Sequence, residues 1–142
     1  MRARRKNSKG QSIVEMTVLL PLLVLVLVVA ADFARVFYES IEVANAARAG
    51  VQYGAQNYVT AADFTGMQNA ALEDGSNIPG LKAAASYFCT CNGQTVACSP
   101  PVCSEPQVFV KVQTNATFST ILDYPGIGNS IPLSTTAILE VQ

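Results

Sequence analysis

An uninterrupted apolar run near the N-terminus limits what this chain can fold into. The 16 residues from Met16 to Ala31 carry no charge, and Glu15 stands directly before them. A helix over this run is about 24 Å long, and one starting at Ile13 is about 28 Å long, against a hydrocarbon core about 30 Å thick. The run therefore predicts a single transmembrane helix with Glu15 close to one edge of the bilayer.

The charge distribution predicts the orientation of this helix. Five basic residues precede it, whereas four basic and nine acidic residues follow from Asp32 onward. Positive charge concentrates on the cytoplasmic side of membrane proteins, so the N-terminus is expected in the cytoplasm and the rest beyond the membrane. The prediction is a basic leader over 1–10, a transmembrane helix over 11–31 and an extracytoplasmic domain over 32–142. The leader lacks aromatic residues and a folded context, so nucleic-acid binding is not expected.

The four cysteines all lie in the segment assigned to the extracytoplasmic domain: Cys89, Cys91, Cys98 and Cys103. An even, clustered set in an oxidising compartment predicts two disulfides, for which three connectivities are possible. A four-thiolate zinc site is the alternative. It is disfavoured by the single residue between Cys89 and Cys91, because structural zinc sites usually have two or more.

The remainder of the domain predicts helices followed by strands. Apolar residues recur every three or four positions to Tyr58, which predicts one helix from about Gln11 to Asn57. Thr60 is a candidate cap for a second helix over about Ala61 to Asp74, with Asp63 in the capping-box position. The apolar stripe expected to face the domain comprises Phe37, Ile41, Ala44, Ala47, Val51, Ala55 and Tyr58.

Gly75, Pro79 and Gly80 end the helical pattern, and after them the apolar period changes to two. Alternating residues predict strands ending near Cys91, around Val108–Phe118 and over Leu133–Val141, with Asn92-Gly93 as a hairpin turn. Tyr124-Pro125-Gly126 indicates a loop between the last two strands. The predicted fold is α+β: a helical part over 32–75, then an antiparallel sheet of three to four strands over 83–142, cross-linked by disulfides.

The chain offers little for catalysis, and we expect neither an enzyme nor a cofactor or metal site. It contains no histidine, no nucleophile-elbow motif and no glycine-rich phosphate loop. Glu15 is the one acid that calls for an explanation, because a charged side chain in hydrocarbon costs about 2.5 to 3.5 kcal/mol. It needs either a partner or a position where its carboxylate reaches water.

The residues around Glu15 resemble a type IV prepilin signal, in which a basic leader ends in glycine and glutamate is the fifth residue of the mature chain. Here Gly10 ends the leader, Gln11 is the expected new N-terminus and Glu15 is the fifth residue. More closely, the segment from Gly10 to about Ala49 resembles the TadE-like family of tight-adherence (Flp) pilus-assembly pseudopilins. The residues that carry this resemblance are Gly10, Val14-Glu15, Pro21 with its leucine-rich surroundings, Asp32-Phe33-Ala34-Arg35 and Ala44–Gly50.

The resemblance implies a structural role in a pilus or envelope filament of the bacterial inner membrane. It implies cleavage between Gly10 and Gln11 by a prepilin peptidase, and contacts with other pilin or pseudopilin subunits through the N-terminal helix. Removal of the leader would create an α-amino group that Glu15 of the same or a neighbouring chain could pair with. Glu15 is thus a candidate assembly determinant.

Two other classes of protein fit parts of the sequence. Val29-Ala30-Ala31 before Asp32 could serve as a signal-peptidase site, which would release a secreted, disulfide-bonded binding domain. Alternatively, an uncut chain would be a single-pass anchored binding module. The helical pattern continues through Asp32, which favours the pseudopilin.

Overall fold

The computed structural model describes residues 9–99, 103–122, 126 and 128–142, and it confirms the α+β class. The basic leader up to residue 8 and the predicted turn at Tyr124-Pro125 lie outside the described residues. Three helices precede four strands: α1 Lys9–Gly54, α2 Tyr58–Ala62, α3 Phe64–Asp74, β1 Lys82–Cys91, β2 Gln94–Val96, β3 Gln107–Ser119 and β4 Ser130–Glu140. The chain divides into two compact units, one ending at Arg35 and the other comprising Val36–Gln142.

The unit that ends at Arg35 contains the apolar part of α1. Pro21 lies within the helix without ending it, although it removes one backbone hydrogen-bond donor. Ile13 and Leu27 are 69% and 60% exposed, and the large apolar side chains between them are exposed as well. Among the described residues, α1 is the one helix long and apolar enough to cross a membrane, and an 18-residue window within it has a mean hydropathy of 2.8.

In the second unit, α1 lies against the sheet through small side chains. Val43, Ala46 and Ala47 are fully buried, and Gly50 and Gly54 continue the same face. The spacing of three and four residues places this stripe on one side of the helix. The sheet can therefore approach the helix backbone closely.

The predicted apolar stripe of α1 is correct in its middle and wrong at both ends. Ala47 and Val51 are buried, but Phe37 and Ile41 are 65% and 59% exposed, and Tyr58 is 65% exposed. Spacing alone could not separate two adjacent apolar faces. The close approach of the sheet selects the face that carries glycine and alanine.

Gly50 and Gly54 allow close packing of α3 and β3 against α1. A Cβ atom added at Gly50 would lie 2.9 Å from the carbonyl oxygen of Met67 and 3.0 Å from a methyl group of Val112. One added at Gly54 would meet the sulfur of Met67. The Gly-x-x-x-Gly pair thus serves packing inside the domain, as expected from its position outside the apolar run.

The second predicted helix is in fact two helices. Asn57, not Thr60, caps α2: its side chain accepts the N–H of Thr60 at 3.0 Å, and the Thr60 hydroxyl accepts the N–H of Asn57 at 3.1 Å. Asp63 then caps α3 by accepting the N–H of Gly66 at 2.9 Å. Both Asn and Asp are preferred caps, and two such caps six residues apart break the helical run.

The strands form one antiparallel sheet in the order β2-β1-β3-β4. Alternate residues of β3 face the helices and are buried, including Val110, Val112 and Phe118. Thr114 lies in the same row, and its hydroxyl donates to the carbonyl of Val43 on α1 at 2.7 Å. The β1–β2 turn is Asn92-Gly93, where both residues have positive φ, as the sequence predicted.

Both predicted disulfides are present, and they select one of the three connectivities. Cys89 pairs with Cys98 and Cys91 pairs with Cys103, with Cα atoms 5.2 and 6.3 Å apart. All four thiols are therefore consumed, which rules out the zinc alternative. The two bridges tie the end of β1 to the segment that leads into β3.

Candidate assembly surface

Gly10, Gln11 and Glu15 all lie in the first turns of α1. The helical backbone includes Gly10 and Gln11, and the Glu15 side chain is exposed. Two residues further, the Thr17 hydroxyl donates to the carbonyl of Ile13 at 2.8 Å. Glu15 is therefore the charged end of an apolar helix surface, a position from which its carboxylate can meet a group outside this chain.

The apolar surface behind Glu15 surrounds the helix. From Ile13 to Leu27, the large apolar side chains are 48% to 69% exposed. Such an exposure would be costly in water, at about 25 cal/mol for each Å² of apolar surface left uncovered. This helix therefore requires a lipid or protein environment, and its side chains are suited to packing against similar helices.

Asp32 marks the end of this apolar surface. Its side chain is 2% exposed, and a carboxylate oxygen lies 3.4 Å from a guanidinium nitrogen of Arg35, one helical turn away. In the sequence, Arg35 stands out only through the family resemblance, and Asp32 through that resemblance and the alternative cleavage site before it. The available signal was a carboxylate directly after an apolar run followed by a basic residue at the spacing of an ion pair.

In the second unit, α1 begins with an exposed apolar patch of Phe37, Tyr38 and Ile41, each 59% or more exposed. The described residues of this unit do not cover it. Single exposed apolar residues are common, but three adjacent ones on one helix suggest a contact surface. The sequence placed Phe37 and Ile41 in the core, so this surface was not predicted.

A polar cluster joins α1 to the start of α3. The Tyr53 hydroxyl donates to the Asp63 carboxylate at 2.8 Å. The N–H of Gly66, together with this hydroxyl, holds the pKa of Asp63 below its usual value, although burial opposes the shift. The same hydrogen bond and the nearby negative charge raise the pKa of Tyr53. These shifts come from a helix cap, so we assign the cluster to the stability of the fold.

No group of three or more potential metal ligands was found among the described residues. The described acids that are not in the cap or beside Arg35 lie on solvent-facing positions or at helix ends, including Glu73 and Asp74 at the end of α3. The predicted site residues therefore fall into two sets. Gly10, Gln11 and Glu15 begin α1, and the four cysteines hold one end of the sheet.

Comparison with known families identifies the N-terminal segment. The sequence model of the TadE-like protein family matches residues 10–52, just under a third of the chain. The match includes Gly10 and Glu15 and confirms the resemblance deduced from the sequence. No significant match was found among curated proteins or among solved structures. The match associates the chain with the tight-adherence (Tad) pilus through a structural, non-enzymatic family whose context is assembly with other pilus proteins.

Proposed function

We propose that this TadE-like chain is a membrane-anchored pseudopilin or minor pilin, a structural subunit in the assembly of a Flp or type IV-like pilus. The observation that carries the proposal is the exposed apolar helix surface from Ile13 to Leu27, which lies entirely within the matched segment. A helix of this kind can lie in the membrane before assembly and among neighbouring helices afterwards. The helix would then anchor the disulfide-bonded domain, first in the membrane and then in the filament.

The proposed processing step is cleavage between Gly10 and Gln11 by a prepilin peptidase. Cleavage removes the five positive charges of the leader and leaves an α-amino group at Gln11, four residues before Glu15. Pairing between that amine and Glu15 of a neighbouring chain would offset the cost of burying the carboxylate and fix the register of the two helices. Glu15 would then act as an assembly determinant.

The proposed location is the bacterial inner membrane, with a cytoplasmic leader and an extracytoplasmic domain, or the filament after assembly. The charge asymmetry supports this orientation. The two disulfides support it as well, since such bonds persist in oxidising compartments. A secreted domain cut after Ala31 fits less well, because α1 continues without a break through Ala31 and Asp32.

The N-terminal residue of the mature protein tests the processing step. We expect N-terminal sequencing of the full chain, isolated from its host membranes, to begin at Gln11. A mature chain beginning at Asp32 would show a secreted domain, and one beginning at Met1 would show an uncut anchor. Either result would refute the proposed processing.

The substitution Glu15→Ala tests the assembly role. We expect normal cleavage but at least a tenfold smaller amount of the chain in pilus or assembly-complex fractions, because the α-amino group loses its partner. Thr17→Ala is the matched control, since it removes a polar group half a turn away that bonds only to its own helix. Unchanged recovery of the Glu15→Ala chain would contradict the proposal and would fit a carboxylate that merely reaches water at the membrane edge.

A further inference from the structure

β4 is the last strand of the sheet, and none of the described strands pairs with its outer edge. The N–H of Val141 donates to the carbonyl of Val108, and the N–H of Thr120 donates to the carbonyl of Asn129. In an antiparallel pair, successive residues of a strand direct their backbone N–H and C=O groups alternately toward the partner strand and away from it. The odd-numbered residues of β4 therefore bond to β3, and the even-numbered ones direct their backbone groups outward. Pro132 agrees with this assignment, because its missing N–H falls at an outward position.

The part of this edge beyond Pro132 is not protected against pairing. Natural edge strands are usually blocked by lysine, proline or a bulge. The outward positions here are Ser134, Thr136, Ile138 and Glu140, and all four pair with β3 in an unbroken register. The edge therefore offers a regular row of backbone groups to another strand.

The opposite edge of the sheet is open over most of β1. β2 pairs only with residues 89–91 of β1, among the described parts of the chain. Since the even-numbered residues of β1 face β3, the backbone groups of Ala83, Ala85 and Tyr87 point to the open side. Each copy of the domain thus presents two free edges.

The directions of these two edges are compatible with each other. β1 and β4 are both antiparallel to β3 and are therefore parallel to each other. The contacts of Val43 with Thr114 and of Gly50 with Val112 show that β3 runs antiparallel to α1 in this unit, so β4 runs along α1. Placing β4 of one copy beside β1 of the next keeps every α1 parallel and on the same face of a combined sheet.

Pairing the β4 edges of two copies would not keep their α1 helices parallel and on the same face of the sheet. An antiparallel pair would reverse one α1 relative to the other, and a parallel pair would put the two helices on opposite faces. This choice rests on the proposed function, because it requires all copies to be anchored in one membrane. Subunits whose N-terminal helices pack together need the arrangement that keeps these helices on one side.

The unpaired parts of β1 and β4 also lie at the same position along the strand direction of the sheet. Ala84 pairs with Gln113, and Gln113 pairs with Thr136, so Ala84 and Thr136 lie at the same level of the sheet. In a parallel ladder at equal height, Thr136 would bond to the backbone of Ala83 and Ala85 of the next copy, both of which point outward. About five backbone hydrogen bonds could form over this length.

A groove beside β4 supplies charge complementarity. It has a volume of about 300 Å³ and is lined by Arg48 and Gln52 of α1 together with residues 135–139. In an incoming copy, α3 packs against β1 and ends in the exposed residues Leu72, Glu73 and Asp74. This end lies at the height of Ala46, which Gly75 contacts, and so close to the level of Arg48. The acidic end of α3 would thus face a groove that contains Arg48.

We propose that copies of this chain associate side by side, with the β4 edge of one copy pairing in parallel with the β1 edge of the next. The two contacting surfaces differ, so the contact is heterologous and repeats around a ring or along a filament. Each added copy would leave a free β4 edge and a free β1 edge at the ends of the row.

Cysteine cross-linking in the full-length, membrane-embedded protein tests this contact. Two single variants, Thr136→Cys and Ala84→Cys, are produced together with different tags and oxidised. Neighbouring strands lie about 4.8 Å apart, within the Cα range of a disulfide, so a mixed dimer carrying both tags is expected. Thr117→Cys, exposed on the central strand, is the control and should give no dimer with Ala84→Cys.

Each variant produced alone separates the possible contacts. The proposal requires that Thr136→Cys alone gives no dimer, so its self-cross-linking would overturn the proposal in favour of β4–β4 pairing. Absence of the mixed dimer would also overturn it. A mixed dimer formed by chains that begin at Met1 would leave the edge contact intact and refute only the processing step.

The substitution Thr136→Pro provides an independent measurement. It removes an outward N–H and leaves the bonds to β3 in place, and Pro132 already occupies an equivalent position. We expect co-isolation of differently tagged full-length copies to fall at least tenfold, while Thr136→Val, which keeps the N–H, changes it less than twofold. A melting temperature near that of the parent chain shows that the proline variant is folded. Undiminished co-isolation of this folded variant would contradict the edge contact.

Discussion

The fit of Met67 under two glycines of α1 leads to a quantitative prediction. Met67 is fully buried, and truncating a buried methionine to alanine typically costs about 2 to 5 kcal/mol. Gly54→Ala in the parent chain gains at most about 1 kcal/mol of helix propensity, because Gly54 is the last residue of α1, but loses about 1 to 3 kcal/mol by overpacking against the Met67 sulfur. We therefore expect this substitution to lower the free energy of unfolding by up to about 3 kcal/mol.

The sign of the Gly54→Ala effect should reverse when Met67 is truncated. In the Met67→Ala background the sulfur is gone, so the new methyl group enters the vacated space and the helix propensity remains. The same substitution should then stabilise by at most about 1 kcal/mol, and the lost overpacking gives a coupling of about 1 to 3 kcal/mol between the two positions.

Gly50→Ala is the matched control for this cycle. Its added methyl group would meet the backbone carbonyl of Met67 at 2.9 Å and the side chain of Val112, and neither is removed by Met67→Ala. Its cost should therefore be similar in both backgrounds. The measurement is denaturant unfolding of the full-length chain in detergent, followed by tyrosine fluorescence. A Gly54→Ala effect that keeps its sign and size in both backgrounds would refute the proposed packing.

Two further predictions concern the bonds that hold the domain. Reduction of the two disulfides should lower the free energy of unfolding by about 2 to 4 kcal/mol for each loop opened, and an unchanged melting temperature under reducing conditions would contradict this. Because the pKa of Asp63 is lowered in the fold, its contribution is present above its unfolded pKa of about 3.9 and is lost as the pH falls through the folded value. The raised pKa of Tyr53 gives a contribution that is present below about pH 10 and is lost at higher pH. Asp63→Asn keeps a capping side chain and should remove both pH dependences of the melting temperature; if both persisted in this variant, another group would be responsible.

The sequence predicted the elements of the fold well, because their apolar periods are long and distinct. The change from a period of three or four to a period of two near residue 82 separated helices from strands. The Asn92-Gly93 turn was predictable because both positions need positive φ. The existence of two disulfides followed from the number and clustering of the cysteines.

Other features depended on contacts that a linear pattern does not contain. The choice between the face with Phe37 and the face with Ala46 depends on how closely the sheet approaches α1. The pairing of Cys89 with Cys98 depends on the β1–β2 hairpin, which brings the end of β2 beside Cys89. The break between α2 and α3 depends on Asp63, which ends α2 and whose side chain accepts the N–H of Gly66 to cap α3.

The candidate site divides in the same way. Glu15 could be singled out from the sequence because a lone acid at the edge of an apolar run is costly and therefore needs a reason. The free edges of β1 and β4 could not be found without the strand order, since the sequence of a strand does not tell which neighbour it has. The alternation of apolar residues identified which side chains of a strand are buried, but not which strands lie at the edges of the sheet.

The position of β3 between its neighbours determines how this domain can fold. It pairs with β1 and β4 and also covers α1, and the bond from Thr114 to Val43 joins residues 71 positions apart. Contacts so distant in sequence form slowly, because the chain loses conformational entropy on closing a long loop before the new hydrogen bonds can stabilise it. A nascent chain that stops before residue 107 would have a complete α1 but no strand to cover its glycine face. The domain should therefore acquire its structure in one late, cooperative step, during which the small-residue face of α1 stays open to other chains.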